Sequence, residues 1–454
     1  MKQYDSLILG FGKAGKTLAA RLAAAGKTVA LVERSPHMYG GTCINVGCIP
    51  SKSLVRSAAL SKLHAGAPFA ERAALYADAV EQRGRLTASL RDKNLAKVAQ
   101  LENATVYTGT ASFLSPTQVR VQTDSGALTL EAKQIFINTG ASAVLPPIVG
   151  LEGNPHVYTS ETLMEQPRLP RRLTIIGSGY IGLEFASMYA NFGAQVTVLQ
   201  DHEAFLPRED EDVAAAIHRI LEDNGVSFRL GATMERVESG DGGATLSYVW
   251  QGRAYAEHAD AVLVATGRRP NTDGLNTAAA GVALTERGAV RVDDALRTTA
   301  PGVWAMGDVN GGQQFTYVSL DDFRVVWSQL NGGDYTRAQR GTVPYSVFLD
   351  PPYSRVGLNE REARAAGYRC KIARLPAAAI PKAQVLQNPA GLLKAVLDED
   401  TGRILGAMLL CEESYEMINL VKLAMDLGAP YSVLRDRIYT HPTMTEAFND
   451  LFAV

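Results

Sequence analysis

The stretch SLILGFGKAGKTLAARLAAAGKTVALVER, Ser6 to Arg34, decides the fold. It opens on a strand-length apolar run and stops at Gly10, Gly12 and Gly15. An Ala- and Leu-rich helical segment follows, then a second apolar run that ends in Glu33. Strand, glycine turn, helix and strand make a βαβ unit. The glycines keep the G-x-G-x-x-G spacing that allows a tight turn, close approach of a pyrophosphate and close helix–strand packing. The helix N-terminus behind them favours negative charge. Glu33, closing the second strand, stands where a carboxylate can accept hydrogen bonds from a ribose. A lone glycine pattern would be weak evidence, but the strand before it and the helix after it make dinucleotide binding the better reading.

The same grammar returns 167 residues later in RLTIIGSGYIGLEFASMYANFGAQVTVLQD, Arg172 to Asp201, with Gly177, Gly179 and Gly182. Its second strand ends in Gln200, where a carboxylate would usually hold an NAD ribose. No arginine stands immediately behind it to welcome a 2′-phosphate, so the choice between NADH and NADPH stays open. His202 reads as an exposed loop histidine. Between the two units lie an Ala-, Arg- and Leu-rich helical passage and a β-rich passage from Thr105 to Phe136. Proline- and glycine-marked boundaries near residue 150, at Thr266–Leu275 and at Asn331–Pro344 divide the chain further. The expected domains are 1–150 with 269–340, 151–268, and a C-terminal α+β domain at 341–454.

At 454 residues the chain exceeds one ordinary core, and about three domains are expected. A net charge of −2 and a pI near 6.4 recommend neither nucleic acid nor an anionic membrane as partner. No apolar run approaches the roughly 18 residues of a membrane span. The apolar start is strand-length and breaks at glycines, unlike a signal peptide. A cytoplasmic protein is expected, and in a reducing compartment a structural disulfide is a poor default.

Two of the four cysteines, Cys43 and Cys48, sit in YGGTCINVGCIPSK just behind the first βαβ unit. A zinc site needs four compactly spaced ligands. Cys370 and Cys411 stand far away and alone, and read as ordinary buried or half-buried thiols. A redox pair explains more, because a helix N-terminus lowers a thiol pKa and the thiolate is the reactive form.

GGTCINVGCIPSK resembles the active-site motif of the flavin-dependent pyridine nucleotide–disulfide oxidoreductases. INTGA (Ile137–Ala141), IIGSGYIGLEFA, VATGRRPNT, WAMGDV (Trp304–Val309) and THPTMTEAF (Thr440–Phe448) follow in that family's order, covering nearly the whole chain. The resemblance implies an α/β fold with two Rossmann-like domains, one for FAD and one for NADH or NADPH, plus a C-terminal α+β dimerisation domain. It implies Glu33 on the adenosine ribose and Asp308 on the ribityl chain, with Thr42, Gly140 and Thr316 also lining the flavin site. Gly267 would lie near the nicotinamide nucleotide. Cys48 would be the flavin-proximal sulfur and Cys43 the outer, substrate-attacking one. Lys52 would pair with Glu184 near the flavin. His441 would be the acid/base, oriented by Glu446, and the pair would serve the partner chain's disulfide in a homodimer.

Within the family, GFGKAGKTLA, MYGGTCIN, FLPREDED, FTYVSLDDFR, VPYSVFLDPPYSRVG and YEMINLVKLAMDLG resemble a bacterial branch tied to reactive-chlorine resistance and Cu(II) reduction. On that likeness Cys43 and Cys48 would contact copper transiently, as substrate; soft thiolates suit the product Cu(I). Dihydrolipoamide dehydrogenase shares the CIPSK wording and the HPT ending and is the rival, although Gln200 departs from its usual acidic residue. Mercuric reductase usually adds a C-terminal cysteine pair, which FNDLFAV lacks. A redox-sensing flavoprotein, valued for a partner rather than turnover, is the expectation from outside the enzymes.

Overall fold

The computed structural model describes residues 1–454, and the chain divides into two compact units. The first comprises Met1–Ser53, Ala79–Val144 and Gly267–Arg340. Its sheet contains β1 (Lys2–Leu9), β2 (Val29–Glu33), β3 (Ala104–Thr108), β4 (Thr110–Phe113), β5 (Gln118–Thr123) and β6 (Gly126–Ile137), in the order β3-β2-β1-β6-β5-β4. β7 (Ala141–Ala143) pairs separately with β16 (Arg268–Pro270), and β17 (Val303–Ala305) joins β6. β1, β2, β3, β6 and β17 run parallel; β4 and β5 are antiparallel additions.

The apolar runs that identified the first βαβ unit are buried on both faces, as a covered parallel sheet requires. On β1, Ile8 packs with Leu18 and Leu22 of α1 (Lys13–Ala24) and with Val325 and Val326 of a later helix, Thr316–Leu330. Leu7 and Leu9 point the other way, into a cluster with Val32, Ile135 and Ile137. The side-chain period of two therefore feeds two cores from one strand. α2 (Thr42–Asn45), α3 (Cys48–Lys62) and α4 (Phe69–Ala99) follow β2.

The second unit comprises Leu54–Asp78, Leu145–Thr266 and Gly341–Val454. It holds an all-parallel sheet ordered β11-β10-β9-β15-β8, from β8 (Val157–Tyr158), β9 (Arg172–Ile176), β10 (Gln195–Gln200), β11 (Val226–Leu230) and β15 (Ala261–Val264). An antiparallel meander of β12 (Thr233–Gly240), β13 (Gly243–Trp250) and β14 (Arg253–Ala259) lies between β11 and β15 in the chain. α5 (Ser160–Leu163) follows β8, and α6 (Tyr180–Phe192) connects β9 to β10 and ends at left-handed Gly193.

The last part of that unit is an antiparallel sheet ordered β18-β19-β22-β21-β20, built from β18 (Tyr345–Val347), β19 (Tyr353–Gly357), β20 (Cys370–Pro376), β21 (Leu392–Asp398) and β22 (Ile404–Leu410). Its core includes Leu393, Ala395, Leu409, Ile418, Val421, Phe448 and Phe452. Two charged knots lie in this unit. Lys394, with a side chain only 2% exposed, is ringed by Asp210, Asp212 and Glu360 at 2.9–3.0 Å. Glu209 accepts hydrogen bonds from the phenols of Tyr180, Tyr345 and Tyr353 at 2.5 Å and from Arg355 at 3.1 Å. No helix is long and apolar enough to cross a membrane.

Candidate active site

The first cradle closes on a residue from a distant strand end. Gly10 is left-handed at φ +103°, and a Cβ there would run into the Asn138 carbonyl. The Asn138 side chain accepts from Gly15 N at 2.9 Å and donates to Met306 O at 2.6 Å, locking the turn to the end of β6. Glu33 accepts from Phe11 N at 2.9 Å and from Ser35 N at 3.3 Å. Burial raises its pKa, and those N–H donors partly offset the rise. α1 begins behind Gly12 with no side-chain cap and no acidic residue in its first turn. An uncapped N-terminus with an acid at the next strand end fits the pyrophosphate and ribose of a dinucleotide.

Gly41 (φ +76°) brings the redox segment against that turn: a Cβ there would lie 2.8 Å from Gly12 Cα. Cys43 then sits in α2, and Cys48 is the first residue of α3. Both are free thiols; Cys48 is exposed and Cys43 half-buried. Cys48 Sγ lies 3.5 Å from Thr316 Oγ1, at the start of the helix Thr316–Leu330. A hydrogen bond with Cys48, then burial, then the charge of a Cys48 thiolate push the Cys43 thiol far above its ordinary range. Thr316 and Lys16 offset this only in part. Cys48 stands at the first position of α3, the helix end that favours an anion. Lys16 donates to Gly40 O at 3.0 Å, and its pKa is lowered to about 8, chiefly by burial and then by Lys13.

Other residues singled out in the sequence lie in the following positions. The Cβ position of Gly140 lies 3.8 Å from Thr42 Oγ1. Asp308, in a short helical turn Gly307–Asn310, has its pKa raised by burial and partly restored by Arg268. A half-buried carboxylate beside the cradle suits the hydroxyls of a ribityl chain. Gly267 (φ +117°) accepts from Val144 N at 3.0 Å. Lys52 follows Cys48 by one turn of α3 and belongs to the first unit.

The second cradle repeats the first with one substitution. Gly177 is left-handed, Gly182 packs against the Gly177 carbonyl, and a Cβ on Gly179 would meet nothing within 4 Å. α6 starts after Gly179 without a side-chain cap or an acid in its first turn. Gln200 Oε1 accepts from Ser178 N at 2.8 Å and from Ser178 Oγ at 3.0 Å. Phe11 and Glu33 make the corresponding contact in the first cradle, so the amide oxygen of Gln200 does the loop-closing work of a carboxylate. Its Nε2 donates to Asp201 Oδ1 at 2.6 Å. His202 is an exposed loop residue 3.9 Å from Asp201. Glu184, on α6, is buried and accepts from Phe348 N at 2.8 Å.

At the chain's end His441 Nδ1 is 2.8 Å from Glu446 Oε2, and Glu446 Oε1 accepts from Thr443 N at 3.3 Å. The carboxylate, itself held by the backbone, fixes one nitrogen of the imidazole and leaves Nε2 for proton transfer. No cluster of three or more His, Cys, Asp or Glu side chains is placed to hold a metal ion. Cys411 is fully buried, with its pKa raised by burial and then by Glu412 and Glu413; Cys370 is half-buried. Sequence patterns did not single out Asn138 as the lock of the first cradle or Ser178 as the partner of Gln200. The only available signal was their position inside INTGA and GSGYIG.

Two dinucleotide cradles, a thiol pair behind the first and a carboxylate-held histidine in a loop near the chain's end define a flavin disulfide oxidoreductase. The chain belongs to the pyridine nucleotide-disulphide oxidoreductase family, which matches residues 4–322, with that family's dimerisation domain matching residues 343–452. Members of the family use FAD and NAD(P)H. The chain is 48% identical over 459 residues to the probable pyridine nucleotide-disulfide oxidoreductase RclA of Escherichia coli, covering 100% of both. It is 34% identical to a mercuric reductase of Lysinibacillus sphaericus, covering 98% of this chain and 81% of that one. It is 32% identical to the dihydrolipoyl dehydrogenase of Mycobacterium tuberculosis, covering 100% and 98%. A solved structure described as the Cu(II) complex of the HOCl-induced flavoprotein disulfide reductase RclA from Escherichia coli superposes with a TM-score of 0.94 at 48% identity. That match covers 100% of this chain and 99% of the other.

Proposed function

We propose that this oxidoreductase uses NAD(P)H to keep Cys43 and Cys48 as a dithiol, and that the dithiol reduces Cu(II) in defence against reactive chlorine, oxidative or metal stress. The observation that carries the reading is the full-length likeness, at 48% identity, to a reductase solved as its Cu(II) complex. Adjacent sulfurs beside the first cradle support it. FAD, held by the Gly10–Gly15 turn, Glu33, Thr42, Gly140, Asp308 and Thr316, supplies the chemistry linking a two-electron nucleotide donor to the sulfurs. The nucleotide lies over Gly177, Gly179, Gly182, Gln200 and Gly267.

The residues of the chain divide the remaining work. Cys48, at the first position of α3, is the cofactor-side sulfur, and Cys43 is the sulfur that meets the acceptor. Closing the pair forms one S–S bond and releases two electrons and two protons. Two Cu(II) ions take one electron each and become Cu(I). One proton goes to His441, oriented by Glu446 and contributed by the partner chain of a homodimer, and the other to solvent. Lys52 and Glu184 tune the charge near the flavin. Residues 1–150 with 269–340 form the FAD domain, 151–268 the nucleotide domain and 341–454 the dimer contact. Free thiols suit a reducing compartment, and we assign the protein to the cytoplasm.

Steady-state oxidation of NADH and NADPH with Cu(II), Hg(II), lipoamide and glutathione disulfide tests the acceptor. Turnover of Cu(II) well above the oxidase background is expected. Fast lipoamide turnover with none for Cu(II) would move the chain to the dihydrolipoyl dehydrogenases. Absence of turnover with every acceptor would favour a redox sensor.

A further inference from the structure

The redox segment is held by side chains to which none of the roles above gives a task. Asn45 lies between the two cysteines in the chain and is only 3% exposed. Its Nδ2 donates to Tyr39 O at 3.0 Å and to Gly41 O at 2.9 Å, while its Oδ1 accepts from Arg91 Nε, on α4, at 2.8 Å. Both amide hydrogens and the carbonyl of Asn45 are thus engaged. Lys16 Nζ donates to the carbonyl in between, Gly40 O, at 3.0 Å. Three consecutive carbonyls, of residues 39, 40 and 41, each receive a side-chain N–H. Gly40 and Gly41 have φ of +100° and +76°, a backbone that glycine adopts freely and would also leave freely.

We propose that Arg91, acting through Asn45, and Lys16, acting through Gly40, are positioning residues that set the dithiol–disulfide equilibrium of Cys43 and Cys48. The inference rests on the redox reading of that pair. The ends of the brace are fixed by α1 and α4, so the half-turn carrying Cys43 is held beside the helix that begins at Cys48. Closing the disulfide then orders little that is not already ordered, and the effective concentration of one thiol at the other stays high. Removing Arg91 leaves the buried Oδ1 of Asn45 without its donor and frees the segment to swing. The open pair gains freedom that the closed pair lacks, so the equilibrium moves toward the dithiol.

The test uses the FAD-loaded full chain, equilibrated without oxygen against graded ratios of reduced and oxidised dithiothreitol. In each exchange the protein S–S bond breaks and the reagent's S–S bond forms, with two electrons and two protons passing to Cys43 and Cys48. Alkylation and mass measurement then count the open pairs. For Arg91→Ala the midpoint is expected to shift about tenfold toward the dithiol, which for a two-electron couple is about 30 mV more oxidising. Arg91→Lys, which keeps a donor for Asn45, is expected to restore most of the shift. Lys16→Met is expected to shift in the same direction as Arg91→Ala, and it keeps the test decisive if Arg91→Ala fails to retain FAD. A lowered thermal transition with an unmoved midpoint would mean that the brace is merely structural, and would overturn the proposal. A wild-type pair that closes normally while both variants match it overturns the brace alone. A wild-type pair that never closes overturns the redox reading, and the brace with it.

Discussion

Replacing Glu446 by Gln tests the proton-handling end of the site with almost no change of shape. Thr443 N can still donate to the side-chain oxygen, as it does at 3.3 Å now. The amide nitrogen would then face His441 Nδ1, where a carboxylate oxygen lies at 2.8 Å. An N–H in that place makes Nδ1 an acceptor, which leaves the ring proton on Nε2 and opposes a base role there. The imidazolium also loses its counter-charge. A hydrogen bond to a charged group contributes about 1.5–3 kcal/mol. The His441 side chain is 69% exposed and that of Glu446 19%, so solvent screens part of the effect. About 1–2 kcal/mol is the expected loss, or roughly 5–30-fold in the step that needs the imidazolium. Stopped-flow measurement separates the half-reactions. Reduction of the enzyme by NADH is expected to keep its wild-type rate, and reoxidation by the acceptor to slow by that factor. An equal loss in both half-reactions, or a change in reoxidation below about twofold, would refute the assignment of the pair to proton transfer.

Cys43→Ser is expected to retain FAD by absorbance, because the cradle does not involve the Cys43 sulfur, while the count of NADH-reducible thiol pairs falls to zero. Gly179→Ala adds a methyl group to open space; its thermal transition should hold while KM for the nucleotide rises. Gly182→Ala drives a Cβ into the Gly177 carbonyl, and the thermal transition itself should fall. Lys394→Met removes the buried cation from Asp210, Asp212 and Glu360, leaving only the more exposed Arg374 and Arg364 on the last two, which should cost about 3 kcal/mol in urea unfolding. Burial opposes charge on Asp212 and Glu360, but Lys394, helped by Arg374 at both and by Arg364 at Glu360, prevails and holds both carboxyls below their ordinary range. Their contribution to stability is therefore complete above the unfolded values near about pH 4 and is lost as pH falls through the lower folded values. Unfolding followed from pH 7 to pH 2 should show this acid loss in wild type and a flatter profile in Lys394→Met.

Both βαβ units could be read from the chain because each is a contiguous stretch whose glycines, helix and strands are neighbours in sequence. The thiol pair was readable for the same reason: Cys43 and Cys48 share one segment, and its place behind β2 follows from chain order. His441 and Glu446 are five residues apart; the resemblance implies their roles, and the 2.8 Å contact joins their side chains. What locks these pieces together was not readable. Asn138 meets Gly15 across 123 residues and Arg91 meets Asn45 across 46, and no local periodicity marks either pairing. The three tyrosines on Glu209 come from α6, β18 and β19, so nothing local in PREDED marks Glu209 as a buried carboxylate. Gln200 was read as a missing acid; the bond from Ser178 makes it instead the neutral counterpart of Glu33.

In the proposed cycle NAD(P)H opens the Cys43–Cys48 pair and Cu(II) closes it. Anaerobic enzyme reduced by NADH can be divided, with one half given two equivalents of Cu(II), and both halves alkylated for peptide mass analysis with a Cu(I) chelator present. Label is expected on Cys43 and Cys48 in the first half, with loss of both labels in the second and two Cu(I) per pair closed. Thiols that stay open after Cu(II) addition, or Cu(I) formed without their closure, would contradict that cycle.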